Sequence, residues 1–252
     1  QRAPARHRHR EIAAQARRLA HDLRIDGRQR AGPALQLAIE GQPHRQRTHR
    51  VAALAFRLLA LQAMMRSPVN LRSLLAVPRV ANPKGLALFV QTFVNRWRCD
   101  GRQEHLDMAI MLADRLERLR SPAGAWSGRA WGYQYPWQDL GFFAPRGTPN
   151  AVVTCFVSEA LLDLHDATGD VRYRNLVLEA LPFLQHDLPR LLDTDKALCL
   201  GYMPVNMHMR VMDVSILIGA LYARCNSMVP TLGLGEDAGR QVTYILGQQS
   251  RA

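Results

Sequence analysis

The stretch GTPNAVVTCFVSEALLDLHDATGDVRY, residues 147–173, decides the fold. Its first part places apolar residues on nearly every face of a helix, and Gly169 then marks a turn before a second helical pattern begins. Thr148 and Pro149 supply a start signal, because proline favours the first position of a helix. The stretch therefore predicts a helical hairpin: a buried helix, a tight connector and a second helix.

The same pattern occurs three times along the chain. The first copy has Asn82-Pro83 as its start signal and Gly101 in its connector. Aligning Gly101 with Gly169, an offset of 68 residues, brings most apolar positions of the two copies into register. A third copy begins at Val211 with the mostly apolar segment VMDVSILIGALYARC. Self-similarity at such a period is typical of repeated supersecondary units.

The two helices of each predicted hairpin differ in character. The first is apolar on most faces, whereas the second carries charged residues on one side. This difference indicates an inner helix that is packed all round and an outer helix that is exposed on one face. Almost nothing in the chain alternates with a period of two. We therefore expect an all-α fold of repeated helical hairpins that form a partial (α/α) toroid, an incomplete ring.

The net charge of +12 is concentrated near the start of the chain. Residues 1–50 hold 12 arginines against 4 acidic residues and show almost no apolar periodicity. We expect residues 1–50 to be a basic, weakly structured segment and residues 51–252 to be the toroid domain. Nucleic-acid binding is the less favoured interpretation of this charge, because no aromatic residue lies among the arginines to stack on bases.

Composition also bears on membrane spans, cofactors and location. The most apolar segment, Val51–Met65, is interrupted by Arg57 and Gln62, so no membrane span is expected. The arginine-rich start lacks the apolar core of a signal peptide. The four cysteines do not have metal-ligand spacing, so we expect no metal, no cofactor and no disulfide framework. Free thiols are typical of a cytoplasmic protein.

The connectors between the predicted helices differ in length. Those inside a hairpin are short, whereas residues 121–148 and 189–210 form long connectors between hairpins. Hairpin topology places both long connectors at one end of the stack, and long loops on one rim are often functional. The first of them holds seven aromatic residues between Trp126 and Phe143. Such rings suit either the faces of sugar rings or the filling of a helical core.

These connectors supply the candidate site. Asp139 and Asp213 are the candidate catalytic carboxylates, able to act as a general acid and base if burial raises a pKa. The alternative for Asp139 is that it caps a turn or pairs with Arg146. An acidic stretch that includes Asp163 and Asp166 is interpreted as a solvated helix end. The candidate substrate-binding residues are Trp131, Tyr133, Tyr135, Trp137, Arg146, Asn150 and Tyr202.

Four segments carry a resemblance to known proteins: SPVNLRSLLAVPRVANPKGLALF (67–89), WGYQYPWQ (131–138), PRGTPNAVVT (145–154) and CLGYMP (199–204). With the turn TGDVRY they resemble the alpha-alpha toroid superfamilies, six-hairpin glycosidase-like and terpenoid-cyclase-like, and within them a bacterial family associated with polysaccharide loci. The resemblance implies a toroid and carbohydrate chemistry. Relatives carry His-Asn and a second Asn where this chain has Met212-Asp213 and Ser215, a departure that would impair catalysis by those residues.

Together these patterns predict a protein that binds or processes carbohydrate, with a saccharide or another small molecule as its ligand. As an enzyme it would be a glycosidase, lyase or epimerase. One alternative is a non-catalytic helical scaffold for protein partners, which requires Tyr133 and Trp137 to be buried against the inner helices. The other is a terpenoid-cyclase-like protein, which ranks last because the chain lacks a D-x-D-D or D-D-x-x-D motif.

Overall fold

The computed structural model describes residues 62–64, 66–70, 79–138, 143–205 and 210–249. The chain divides into two units, Gln1–Pro78 and Arg79–Ala252, and the architecture below is that of the second unit. The predicted boundary between residues 50 and 51 lies outside the described residues, so that division stays a prediction.

The second unit is built from three helical hairpins, which confirms the prediction of an all-α fold of repeated hairpins. Each pair consists of a long first helix, a connector and a second helix. The first pair is α1 (Pro83–Asp100) and α2 (Gln103–Arg118); the second is α3 (Ala151–Thr168) and α4 (Val171–Leu178); the third is α5 (Met212–Met228) and α6 (Gly235–Gln249).

Helix ends follow the sequence signals at most positions. The Asn82 side chain caps α1, and Gly101 and Gly169 end α1 and α3 in the left-handed conformation, with φ of 68° and 71°. Glycine adopts this conformation without the penalty that a Cβ atom brings. The predicted start of α3 at Thr148-Pro149 is wrong by two residues, because the Asn150 side chain forms the cap.

Packing between the hairpins follows the inner and outer pattern. Helix α1 packs against α3, α3 packs against α5, and each second helix packs against the first helix of its own pair. The core lies between these layers and includes Val90, Val153, Leu161 and Ile218, each with at most 2% of its surface exposed. Inner helices that contact one another inside a layer of outer helices form a partial α/α toroid.

The second outer helix is shorter than the sequence suggests. Helix α4 ends at Leu178, and a separate π-helical turn follows at Phe183–Asp187. In a continuous helix the carbonyl of Glu179 would accept from Phe183, but it accepts from the backbone N–H of Arg129 at 2.8 Å. Pro182 also lacks a backbone donor. The long connector therefore interrupts this helix by using its hydrogen-bonding groups.

Both long connectors contain short antiparallel strands. In the first connector β1 (Trp137–Gln138) pairs with β2 (Phe143–Ala144). In the second connector β3 (Arg190–Asp193) pairs with β4 (Leu198–Leu200). Strands of two to four residues are too short to show a period-two pattern. None of the helices in the described ranges has the length and apolar character needed to cross a membrane.

Candidate functional site

The first long connector is fastened to itself by backbone hydrogen bonds. The N–H of Asn150 donates to the carbonyl of Trp131 at 3.1 Å, and the N–H of Gly147 donates to the carbonyl of Tyr133 at 2.8 Å. Between these bonds, Gly132 lies so close to Thr148 that a Cβ atom would be 1.8 Å from the Thr148 carbonyl oxygen. The absence of a side chain at Gly132 is what permits this approach.

Trp131 belongs to the core of the unit. It has no exposed surface, and its indole N–H donates to the carbonyl of Leu116 at 2.8 Å. Its backbone N–H donates to the Thr154 hydroxyl at 3.1 Å. A side chain without exposed area offers no face to a ligand from solvent, so the structure gives Trp131 a packing role in place of the predicted contact with substrate.

Four other rings form a contiguous group, which we call the aromatic cluster: Tyr133, Tyr135, Trp137 and Tyr202. Tyr133 stacks on Tyr135 with 5.3 Å between ring centroids and 18° between planes. Trp137 forms T-shaped contacts with Tyr133 and Tyr202, each at a centroid distance of 5.6 Å. Tyr202 comes from the second long connector, so the structure brings the two connectors together, as the hairpin topology predicts.

Exposure is graded across the cluster. Tyr202 is buried, Tyr133 and Trp137 are half-buried, and Tyr135 is 39% exposed. Burial raises the pKa of the Tyr202 phenol well above its ordinary value, and the charge of Tyr133 and a hydrogen bond to its side chain raise that pKa further. Burial also raises the pKa of Tyr135, with a second contribution from Tyr133. The phenols of Tyr202 and Tyr135 are therefore neutral hydrogen-bonding groups at neutral pH.

The start of α3 is closed rather than open to a ligand. The Asn150 side chain is buried and accepts from the N–H of Val153 at 2.9 Å. The N–H of Ala151 donates to the carbonyl of Tyr202 at 2.8 Å. These bonds occupy two of the first backbone N–H donors of α3, those of Ala151 and Val153. Asn150 acts as a helix cap and also fastens the connector.

Arg146 lies at the corner of a hydrogen-bonded turn. The N–H of Thr148 donates to the carbonyl of Pro145 at 3.1 Å, and Gly147 has φ of 78°. A positive φ at the third residue is what a type II turn requires. Arg146 is exposed and, within the part of the chain that the structure describes, makes no ion pair. Its guanidinium is therefore available at the edge of the connector that carries the tyrosines.

Of the two candidate catalytic carboxylates, the structure describes Asp213. Asp139 lies outside the described residues. Asp213 is exposed in the first turn of α5, where a negative charge is favoured by the helix dipole. A charge near the start of so apolar a helix is expected to be paired or to line a cavity, and Asp213 forms no ion pair with the residues that the structure describes. Among the described residues, no group of three His, Cys, Asp or Glu side chains is placed to hold a metal ion.

The structure also shows a charged group that the sequence analysis missed. Arg224 of α5 donates to Asp163 at 2.9 Å and to Asp166 at 2.7 Å, and it pairs with Glu159. Gln91 of α1 donates to the other oxygen of Asp163 at 2.9 Å. We call Glu159, Asp163 and Asp166 the acidic stripe. Their spacing of four and three residues along α3 was the available signal, and it corrects the interpretation of Asp163 and Asp166 as a merely solvated helix end.

The acidic stripe links all three inner helices through Arg224 and Gln91. Burial alone would lower the pKa of Arg224, but its hydrogen bonds to Glu159, Asp166 and Asp163 raise it. One guanidinium thus holds three carboxylates at the least buried face of α3. This arrangement fixes the inner helices relative to one another and makes the face between them polar.

Comparisons with known proteins identify no family and no function for this chain. No protein-family model and no curated protein matches the chain. Among solved structures it is similar to a GH76 alpha-mannanase from Bacteroides thetaiotaomicron, with 10% sequence identity and a TM-score of 0.49. The similarity covers 66% of this chain and 44% of that chain, so this chain spans less than half the length of that protein. A similarity this distant does not determine a function.

Proposed function

We propose that this protein binds saccharides through the aromatic cluster. The observation that carries the proposal is the convergence of Tyr133, Tyr135 and Trp137 from one long connector with Tyr202 from the other. Sugar rings present C–H faces that pack on flat aromatic rings and hydroxyls that bond to polar tips. Tyrosine and tryptophan supply both features in one side chain.

The graded exposure of the cluster supports a surface platform. Buried Tyr202 and half-buried Trp137 hold the arrangement, while Tyr135 presents its ring to solvent. Because the connector is fastened by backbone bonds at Trp131 and Tyr133, the platform is formed before a ligand arrives. Pre-formed sites bind with a smaller entropic cost. Arg146 extends the proposed contact surface on the same connector.

Processing of the saccharide is a further part of the proposal. Asp139 and Asp213 remain the candidate acid and base, and they would act on a sugar held by the cluster. A cytoplasmic role in bacterial polysaccharide metabolism accords with this chemistry. Product analysis after incubation with oligosaccharides tests it: turnover that Asp213→Asn abolishes while affinity is unchanged supports processing, and binding without turnover restricts the function to recognition.

A scaffold function has one observation in its favour. Tyr133 and Trp137 pack against the core, as that alternative requires, although neither is fully buried. A terpenoid-cyclase-like function is disfavoured by the acidic stripe, because ion-paired carboxylates on the inner helices do not suit an apolar substrate.

The proposal is tested by calorimetric titration with a panel of oligosaccharides, accompanied by tryptophan fluorescence. Tyr135→Ala removes an exposed ring and should weaken binding by roughly fivefold, equivalent to about 1 kcal/mol of ring contact. Phe89→Ala is the matched control, because Phe89 is an exposed ring on α1, outside both connectors. Absence of binding across the panel, or equal effects of the two variants, would reject the proposal.

A further inference from the structure

We infer that the saccharide recognised at the aromatic cluster carries a carboxylate, with Arg146 as the residue that selects it. This inference rests on the proposed function, since it specifies the class of ligand that the cluster accepts.

The first support is the fixed position of Arg146. Its turn is closed by two bonds to the Pro145 carbonyl, from the backbone N–H of Thr148 at 3.1 Å and from the Thr148 hydroxyl at 2.8 Å. The next residue, Gly147, is bonded to the carbonyl of Tyr133. The backbone at Arg146 is therefore held beside the segment that carries the stacked tyrosines, and only the side chain remains to be ordered by a ligand.

The second support is that Arg146 lacks an ion pair with a carboxylate. Among the exposed arginines of this unit, Arg102, Arg172 and Arg190 have a carboxylate partner, whereas Arg96 and Arg120 have none in the described ranges. Arg146 has none within the described ranges. A guanidinium presents a planar fork of donors that matches a carboxylate with two parallel hydrogen bonds. An unpaired fork beside a sugar-binding platform favours an acidic sugar.

The third support comes from the closed start of α3. Two of its first N–H groups, those of Ala151 and Val153, are taken by Tyr202 and Asn150, which leaves little of this helix start for an anion. The positive charge for recognition thus comes from the Arg146 side chain. A ligand carboxylate that binds here has to reach this guanidinium while its ring contacts Tyr135.

The experiment compares galacturonate oligomers with their methyl esters of matched length, using calorimetry on the full chain. Methylation removes the charge and keeps the ring. We expect the acid to bind about tenfold more tightly than the ester at low salt, because a hydrogen bond between charged groups at a partly solvated site contributes about that much. The difference in affinity should decrease at high salt, because salt screens the charges.

Variants assign that difference to Arg146. In Arg146→Gln the acid should bind as the ester does, whereas Arg146→Lys should retain part of the preference, because lysine keeps the charge but not the fork. Arg96→Gln is the matched control, since Arg96 is an exposed arginine on α1. The inference would be overturned if the protein bound acid and ester with equal affinity, or if Arg96→Gln lost the preference for the acid as fully as Arg146→Gln does. Either result would leave the proposed function intact. If neither the acid, the ester nor neutral oligosaccharides bind to the protein, both the inference and the proposed function are rejected.

Discussion

Replacement of Gly132 by alanine should unfasten the connector that carries the aromatic cluster. The added Cβ would lie 1.8 Å from the carbonyl oxygen of Thr148, 2.5 Å from its carbonyl carbon and 3.0 Å from the Cα of Pro149. All three neighbours are backbone atoms, so a change of rotamer cannot relieve the clash. The two segments have to separate, and the backbone bonds at Trp131 and Tyr133 are then lost.

The expected cost follows from these contacts. Overpacking costs roughly 1–3 kcal/mol, and each of two lost hydrogen bonds adds about 1 kcal/mol. A total of about 3–5 kcal/mol corresponds to a melting temperature lower by roughly 6–20 °C for a unit of this size. Saccharide affinity should decrease as well, because the cluster loses its support.

Thermal unfolding followed by circular dichroism measures this effect. Gly239→Ala is the matched control, because Gly239 lies within α6 and a Cβ there would meet no atom within 4 Å. That change should stabilise by roughly 0.5–1 kcal/mol, as alanine does in a helix interior. A Gly132→Ala protein that melts within about 2 °C of the wild type would refute the close approach of these segments.

Three further predictions concern the cap, the charged group and the thiols. Asn150→Ala should lower the free energy of unfolding by about 1 kcal/mol, whereas Asn150→Ser should melt close to the wild-type temperature because serine can also cap a helix. Equal losses of stability in the two variants would argue against the cap. Arg224→Met should lower the free energy of unfolding, measured by urea denaturation, by about 2 kcal/mol, because three carboxylates lose their shared partner. An unchanged urea midpoint would contradict this prediction. Burial raises the pKa of Cys225 to about 11 and that of Cys155 further, which leaves little thiolate at pH 8. A thiol reagent should therefore modify exposed Cys99 quickly and the buried cysteines after denaturation, whereas rapid modification of a second thiol in folded protein would contradict their burial.

The repeated hairpins could be predicted because their signals are local. Apolar periodicity and the glycines at 101 and 169 act within a few residues, and the structure places α1 and α3 close to the predicted positions. The start of α3 was misplaced because Pro149 reads as a first helical residue. Pro149 lies outside the helix because it forms a β-bridge with Gly132, a residue that is distant in the sequence but adjacent in the structure.

The candidate site was harder to predict, because burial depends on partners from other segments. Trp131 and Tyr135 look alike in the sequence, but one is enclosed by Leu116 and Thr154 while the other remains at the surface. The contact of Trp137 with Tyr202 joins residues that lie far apart in the sequence. Asp163 and Asp166 of the acidic stripe were interpreted as a solvated helix end for the same reason, since their partner Arg224 lies on another helix.

The most direct test of saccharide recognition by the aromatic cluster is a crystal structure of the protein with a bound oligosaccharide. We predict a sugar ring packed on the exposed face of Tyr135, with Trp137 close by and an acidic group directed to Arg146. A saccharide bound at another surface of the chain, with Tyr135 and Trp137 unoccupied, would contradict this prediction.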